Sequence, residues 1–335
     1  MNHHVDLLKH YADAVPSRND MLAWITEVVD HGVRRPGTDA GHRVEDWVTS
    51  RFRYLGLQDV RREPLPVPVW EPGPARLVAW PADRPDETVE LPGFPLPYTA
   101  VTGAEGVEAD VVAMPPLRPR VRRGESGGDG GDRRGDGAGG AAGDDAVPEA
   151  VRGAIAVDVI EQGTLPDSYM RRVATRVHDP GGGLDGYEHL LPFGPRLGRE
   201  VDRAVDAGAA AYVGVLGGMP WETNQYYVPY DAVDRDLPAV WVDRGAGARL
   251  AALLAAGPVR GRIEVEGRRR EGQTCNVVGT LPGVSDEWVV VGSHHDAPWA
   301  SAVEDGSGIA MVLAQARFWS QVPQAQRPHN MLFLL

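Results

Sequence analysis

The chain has 335 residues, 42% of them hydrophobic, and a formal net charge of −13. This composition is typical of a globular protein with a sizeable core, and the negative charge argues against nucleic-acid binding, which needs positive patches. No apolar run approaches the roughly 18 residues that a membrane helix requires, and the single cysteine excludes an internal disulfide framework. We therefore expect neither nucleic acid nor membrane among the partners.

The first residues, MNHHVDLLKHYADAV, lack the basic segment and apolar core of a secretory signal. A cytoplasmic location is therefore the expectation. The length by itself favours two or three domains.

Two amphipathic helices are predicted near the start, at residues 18–34 and 39–56, because apolar residues recur there at helical spacing. Pro36 and Gly37 separate them, and Gly56 marks the end of the second helix. An extended strand follows. Taken alone, this order indicates only the beginning of an α/β fold.

The next segments change in composition. Residues 70–114 are rich in proline and valine and predict short strands joined by turns. Residues 118–147 contain mainly glycine, aspartate and arginine, with almost no aromatic or β-branched side chain. Such a segment cannot offset its ordering entropy, so it predicts a disordered surface loop.

Strands and helices alternate after residue 151, with a helix predicted at 197–207. Three sequence features lie in this region: RGAIAVD, AGAAAYVGV and LPAVWVD. Together they resemble a protease-associated domain, which in several peptidases is inserted ahead of the catalytic sheet. The resemblance implies a domain that covers the mouth of an active site and carries no chemistry of its own.

An unbroken apolar run from Trp288 to Val291 predicts a strand buried on both faces of a parallel sheet, ending at Gly292. The apolar residues Ile309, Val312, Leu313 and Ala316 then recur at helical spacing, so a helix begins close behind it. The start of that helix should point back at the end of the strand. In open α/β sheets this edge is where ligands bind.

Metal-type side chains lie between that strand and helix. His294 and Asp296 should project to the same side of an extended segment, so that Asp296 accepts the imidazole N–H and orients the ring. Glu304 and Asp305 follow just before the helix. Imidazole and carboxylate are what zinc takes in a catalytic site. The spacing alone equally fits a polar loop followed by acids that the helix dipole favours.

The segment VVVGSHHDAPWASAVEDGSGIAMVLAQA resembles the first metal-binding segment of the zinc-dependent peptidase family M28. The family form is an apolar strand, Gly-small-His-x-Asp, a variable loop, then Asp-x-x-Ser-Gly and a helix. CNVVGTLPG, at residues 275–283, is similar to a strand and turn of the same family. The interval between histidine and acid is most similar to the branch of glutamate carboxypeptidase II and transferrin receptor.

The resemblance implies a site with two zinc ions. It makes His294 a ligand of one zinc and Asp296 the residue that orients this histidine for catalysis. The acid that bridges the two ions falls on Glu304, where the family usually has aspartate. Either Glu304 or the adjacent Asp305 would then be the bridging metal ligand.

The resemblance also implies a domain organisation. Residues 1–68 and 266–335 would form an incomplete α/β domain, a mixed-sheet phosphorylase/hydrolase-like zinc peptidase domain. Residues 69–265 would be the inserted β-rich protease-associated domain, with the loop at 118–147. The family's general base and remaining ligands follow the strand that here is HNMLFLL, so we expect the chain to be a fragment that is inactive by itself.

Two functions are compatible with the sequence. The first is a metal-dependent exopeptidase, of aminopeptidase or carboxypeptidase type, that hydrolyses peptides. The second is a non-catalytic relative resembling transferrin receptor, which uses the same domains for binding or dimerisation. A homodimer is compatible with both. A Glu-Glu pair shortly after residue 335 would favour the enzyme.

Overall fold

The computed structural model describes residues 3–115, 147–191, 198–219, 221–229, 231 and 233–335. The loop predicted at 118–147 lies outside these ranges except for its last residue. The chain divides into two compact units, one formed by Met1–Val69 with Arg269–Leu335 and the other by Trp70–Arg268. The divisions expected from the sequence were at 68/69 and 265/266.

The helices of the described residues are α1 (His3–His10), α2 (Arg18–Asp30), α3 (Asp39–Tyr54), α4 (Asp167–Val173), α5 (Arg199–Asp206), α6 (Arg244–Ala256) and α7 (Gly308–Gln321). The strands are β1 (Gln58–Pro81), β2 (Val89–Pro95), β3 (Thr99–Ala100), β4 (Val107–Ala113), β5 (Ile155–Ile160), β6 (Gly163–Pro166), β7 (Glu188–Leu191), β8 (Ala211–Leu216), β9 (Arg235–Val242), β10 (Val259–Leu281), β11 (Trp288–Gly292) and β12 (Asn330–Leu334).

In the unit of Met1–Val69 and Arg269–Leu335, three strands place the candidate site. β12 pairs antiparallel with β10 and parallel with β11. Helices α3 and α7 bury their apolar faces in the same core as these strands. Members of that core include Val48, Phe52, Val277, Ile309, Leu313 and Phe333.

The amino-terminal helices begin at side-chain caps. The Ser17 hydroxyl accepts a hydrogen bond from the Asp20 amide at 3.1 Å, and the Asp20 carboxylate accepts one from the Ser17 amide at 2.9 Å. Thr38 accepts one from the Gly41 amide at 3.2 Å at the start of α3. Such caps satisfy amides that the helices leave unbonded. The Thr38 cap also fixes the end of the segment between α2 and α3, which carries Arg34.

The unit of Trp70–Arg268 has its own sheet and core. Strands β4, β5, β8 and β9 run parallel in that order, and β2 and the first part of β10 pair antiparallel at the two sides. Its core includes Val157, Val213 and Val240 with Ala246 and Leu250 of α6. A separate two-stranded sheet joins β6 and β7. The mixed α/β class predicted from the sequence is confirmed.

The prediction that β11 is buried on both faces is wrong. Trp288 is 55% exposed and Val290 is 62% exposed. The physical reason is the position of the strand: among the described residues, β11 is the outermost strand of its sheet and pairs with β12 alone. Its apolar run therefore meets solvent.

The described helices are too short or too polar to cross a lipid bilayer.

Candidate metal centre

The end of β11 brings the sequence-predicted residues together at one edge of the sheet. The parallel register pairs Gly292 with Leu334 of β12, and the Ser293 amide donates to the Leu334 carbonyl at 3.1 Å. The chain then leaves the sheet, so that residues 294–307 form the connection to α7. This is the carboxyl edge of parallel strands, where α/β proteins place their ligands.

His294 is oriented by Asp296. Its Nδ1 lies 3.1 Å from the Asp296 carboxylate oxygen Oδ1 and 3.1 Å from the Asp296 carbonyl oxygen. Its Nε2 lies 3.6 Å from Asp305 Oδ2. The His294 side chain is 51% exposed. One ring nitrogen is therefore held by Asp296, while the other faces an acid and is open to solvent.

Asp305 is fixed by two donors. The Ser293 hydroxyl donates to its Oδ2, and the Gly308 amide donates to its Oδ1 at 3.2 Å. Gly308 leaves the space that the carboxylate needs, because an added Cβ would lie 2.4 Å from Asp305 Oδ1 and 2.5 Å from the Ser293 hydroxyl. The backbone of Gly308 thus lies closer to the Asp305 carboxylate than it could if this residue carried a side chain.

The side chain of Glu304, unlike that of Asp305, lies away from the bonded groups of the site. Its side chain is exposed, and within the described ranges it makes no hydrogen bond or ion pair. The backbone is non-helical at both Glu304 and Asp305, and the peptide bond between them is cis. Of the two acids that the sequence offered as a bridge, the structure brings Asp305 into contact with His294.

His295 points the other way, into the protein. It is buried, and its Nε2 lies 3.8 Å from Glu45 of α3. Glu45 accepts hydrogen bonds from the Thr274 hydroxyl at 2.6 Å and the Cys275 amide at 3.2 Å, and lies 3.0 Å from His42 Nδ1. Burial raises the pKa of Glu45. Its hydrogen bonds, of which the one from His295 has the largest effect, lower the pKa by more, so the pKa lies below its ordinary value.

Three residues of this site were missed from the sequence: Ser293, Glu45 and Arg34. Ser293 occupies the small-residue position before the histidine. Glu45 carried a signal, because it is a charged residue beside Val44 and Val48 on the buried side of α3. Arg34 carried no signal beyond its place in the turn before α3, because its contacts lie far away in the sequence.

The donor set fits zinc in part. Two ligands that each lie about 2.0–2.2 Å from one zinc ion are at most about 4 Å apart. The separation of 3.6 Å between His294 Nε2 and Asp305 Oδ2 satisfies this limit. In the part of the chain that the structure describes, no group of three or more histidine, cysteine or acidic side chains is placed to hold a metal ion. The described residues therefore place two side chains of a type that binds zinc, His294 and Asp305, within this distance of each other.

The fold is similar to that of solved peptidase structures. A peptidase M28 precursor from Shewanella amazonensis matches 99% of this chain with a TM-score of 0.69 and 20% identity. An aminopeptidase from Aneurinibacillus sp. strain AM-1 matches 97% with a TM-score of 0.56 and 18% identity. A zinc aminopeptidase from Bacillus subtilis matches 96% with a TM-score of 0.59 and 16% identity. The chain covers 66%, 63% and 61% of these proteins, respectively, so it spans less than two thirds of each.

The family model of Peptidase family M28 matches residues 276–335. These residues include β11, the connection with His294 and Asp305, and α7. No curated protein sequence matches the chain. The resemblance to family M28 expected from the sequence is therefore confirmed, and the segment that carries the candidate metal centre lies within the matched residues.

Proposed function

We propose that this chain contributes to a two-zinc exopeptidase, and that the whole protein removes a terminal residue from a peptide. The observation that carries the proposal is the arrangement of His294, whose Nδ1 contacts Asp296 while its Nε2 faces Asp305. An imidazole held in this way has one defined nitrogen free for a metal. The family match and the names of the structural relatives support the same reading.

Each residue has a separate role in the proposal. His294 is a ligand of one zinc through Nε2, and Asp296 positions the ring and makes it a better donor. Asp305, or Glu304 after a local change of the connection, would be the acid that helps to hold both ions. Zinc in such a centre would supply Lewis-acid activation of water and of the scissile carbonyl.

The described residues do not form a complete catalytic centre. A catalytic zinc site takes three protein ligands as a rule, and peptide hydrolysis also needs a general base. The connection between β11 and α7 supplies one imidazole and one contacting carboxylate. We therefore propose that residues 1–335 alone do not hydrolyse peptides, and that the ligands and base outside this set belong to the whole protein.

The unit of Trp70–Arg268 is proposed to be a protease-associated domain. RGAIAVD leads into β5, AGAAAYVGV leads into β8, and LPAVWVD lies in β9. These three strands are neighbours in its parallel sheet. A domain of this kind selects substrates and carries no catalytic group.

Titration of the protein with Zn²⁺ by calorimetry tests the metal assignment. We expect His294→Ala and Asp305→Ala each to weaken zinc binding by about 100-fold, and Asp296→Asn by about 10-fold because it acts through His294. His329→Ala is the matched control, since His329 also lies beside a strand end but contacts Ser285 and Glu287. It should bind zinc as the unaltered protein does.

Glu304→Ala distinguishes the two acids. If Asp305 alone holds zinc, Glu304→Ala retains the affinity and Asp305→Ala loses it, and the reverse result assigns the bridge to Glu304. If zinc fails to bind the unaltered protein, or if neither acid matters, the proposal is wrong. Absence of binding would favour the non-catalytic function resembling transferrin receptor.

A further inference from the structure

Arg34 is completely buried, with 0% of its surface exposed. It lies between α2 and α3, directly behind the connection that links His294 to Asp305. Among the described residues, the hydrogen-bond acceptors of its guanidinium all lie in that connection. A buried arginine usually pairs with a carboxylate, so these contacts require a reason.

The guanidinium binds three backbone carbonyls. Its Nε donates to the His295 carbonyl at 2.9 Å, one terminal nitrogen to that of Ala300 at 2.6 Å, and the other to that of Ser301 at 3.0 Å. The first carbonyl follows His294 directly, and the others lie just before Glu304 and Asp305. One rigid planar group therefore ties together the two ends of the connection.

The backbone of the same segment adds a further contact. The Ala297 amide donates to the Arg34 carbonyl at 3.0 Å. Arg34 is thus bonded to the connection through both its side chain and its main chain. The connection contains no regular hydrogen-bonded structure between Ser293 and Ser301, so these bonds replace the ladder that a strand or helix would supply.

The positive charge of Arg34 interacts with the negative charges of Asp296 and Asp305. Among the described residues, no carboxylate lies within ion-pair distance of its guanidinium. Burial lowers the pKa of Arg34, whereas the negative charges of Asp296 and Asp305 raise it. Arginine stays protonated under such conditions. The positive charge therefore offsets the repulsion between acids that converge on His294.

We propose that Arg34 is a positioning residue for the candidate metal centre: its three-carbonyl fork sets the separation of His294 from Asp305. This inference rests on the proposed function for its purpose, but its geometry can be tested without it. Arg34 touches neither metal nor substrate in this proposal and acts only through the connection.

Arg34→Lys is the decisive variant because lysine keeps the charge and loses the fork. A single ammonium cannot reach three carbonyls that a planar guanidinium bonds at its three nitrogens. We expect hydrogen exchange of the Ala297 and Gly306 amides, which donate to the Arg34 and Ser301 carbonyls, to become about 10-fold faster or more, while the amides of α3 keep their protection. We also expect zinc binding to the protein, measured by calorimetry, to weaken by about 10-fold or more.

Arg43→Lys is the matched control. Arg43 is an exposed arginine of α3 whose guanidinium also donates to a backbone carbonyl, that of His31 at 3.2 Å. It should change neither the exchange of the connection nor zinc binding. Arg34→Met removes the charge as well, and we expect at least the same increase in exchange. If this second variant does not fold, Arg34→Lys decides alone.

The outcomes separate this inference from the proposed function. Unchanged exchange and unchanged zinc affinity in Arg34→Lys would overturn the positioning role, even if the unaltered protein binds zinc through His294. Faster exchange in Arg34→Lys, together with no zinc binding by the unaltered protein, would support the positioning role and refute the proposed function. Faster exchange spread equally over α3 would show a general loss of structure and would also overturn the inference.

Discussion

Glu45 shows how a single buried charge organises the core beneath the candidate centre. It receives bonds from β10 through Thr274 and Cys275, and it lies beside the ring of His295. A buried carboxylate is costly without such partners. The hydrogen bonds from these partners therefore stabilise the buried negative charge of Glu45, and the carboxylate in turn serves as their acceptor.

The substitution Glu45→Gln should destabilise the protein by about 2 kcal/mol at pH 7, because it leaves donors without a charged acceptor. The folded-state pKa of Glu45 is below the ordinary 4.5. The stabilisation is therefore present above pH 4.5 and is lost as the pH falls. Urea unfolding at pH 7 and pH 4 should show a smaller difference between the two proteins at the lower pH.

Asp46→Asn is the control for that experiment, since Asp46 is an exposed neighbour on α3 paired with Arg62. Exposed pairs contribute about 1 kcal/mol or less. A Glu45→Gln protein as stable as this control at pH 7 would refute the role given to Glu45.

Cys275 should be unreactive in the folded protein. Burial raises the pKa of its thiol, the negative charge of Glu45 raises it further, and the value reaches about 12. Because the thiolate is the reactive form, we expect an aromatic disulfide reagent at pH 8 to label folded protein at least about 100-fold more slowly than protein unfolded in urea. Equal labelling rates in the two states would contradict the burial of Cys275.

At the scale of elements, the start of α7 depends on a close approach. Gly308 has an ordinary helical backbone, with φ of −64° and ψ of −43°. Its requirement is space, because an added Cβ would overlap the Asp305 carboxylate. Any other residue at this position would have to displace the Asp305 carboxylate or the Ser293 hydroxyl.

We expect Gly308→Ala to destabilise the protein by about 1–3 kcal/mol in urea unfolding, as overpacking does. Gly103→Ala serves as its control, since a Cβ there would meet no atom within 4 Å. The two variants should differ clearly. Equal stability would mean that the carboxylate moves aside without cost, and Asp305 would not be held as described.

The packing of β5 against α5 contains a buried acid. Burial raises the pKa of Asp158 to about 7, although Arg203 of α5 lies 3.7 Å away and lowers it. The folded state therefore favours the protonated form. Its contribution to stability is present below the ordinary value of 3.8 and is lost as the pH rises toward 7.

Replacing Asp158 by asparagine removes this titration. We expect the stability of Asp158→Asn relative to the unaltered protein to increase from pH 5 to pH 8, as measured by urea unfolding. Asp206→Asn, at an exposed position of the same α5, is the control. A constant difference across this pH range would show that Asp158 ionises in the folded protein as easily as in the unfolded chain.

The sequence was informative where the signal is local. Helical spacing located α2, α3 and α7, and the apolar run located β11, because these patterns span only a few residues. The order of metal-type side chains between β11 and α7 was likewise visible. The exposure of β11 was not, since an apolar run does not reveal whether a second strand lies beside it.

Contacts between distant residues were also out of reach. The partners of Arg34 lie 261 to 267 residues away, and the most distant partner of Glu45 is His295, which follows β11. Nothing in the turn around Arg34 indicates which backbone it will bind. The position of Asp305 beside His294 depends on its bonds to Ser293 and Gly308, which spacing cannot supply.

At the scale of the molecule, the chain contains two units with separate cores. The core that includes Val157 and Val213 lies within Trp70–Arg268, and the core that includes Phe52 and Phe333 lies within the other unit. A unit with its own core and one continuous stretch of chain can fold alone.

We therefore expect residues 70–268, produced alone, to unfold cooperatively on heating, with the circular dichroism of a mixed α/β protein before the transition. The same unit should bind no zinc through a specific site, because His294 and Asp305 lie outside it. A chain that remains unfolded at all temperatures would show that this unit depends on the rest of the protein.

The central claim is that His294 at the end of β11 and an acid at the start of α7 hold a common metal ion. Anomalous diffraction at the zinc edge, from crystals of the protein grown with Zn²⁺, tests it directly. The account predicts a zinc peak about 2.0–2.2 Å from His294 Nε2 and from a carboxylate oxygen of Asp305 or Glu304. Crystals in which zinc is bound elsewhere, while His294 remains without a metal, would contradict it.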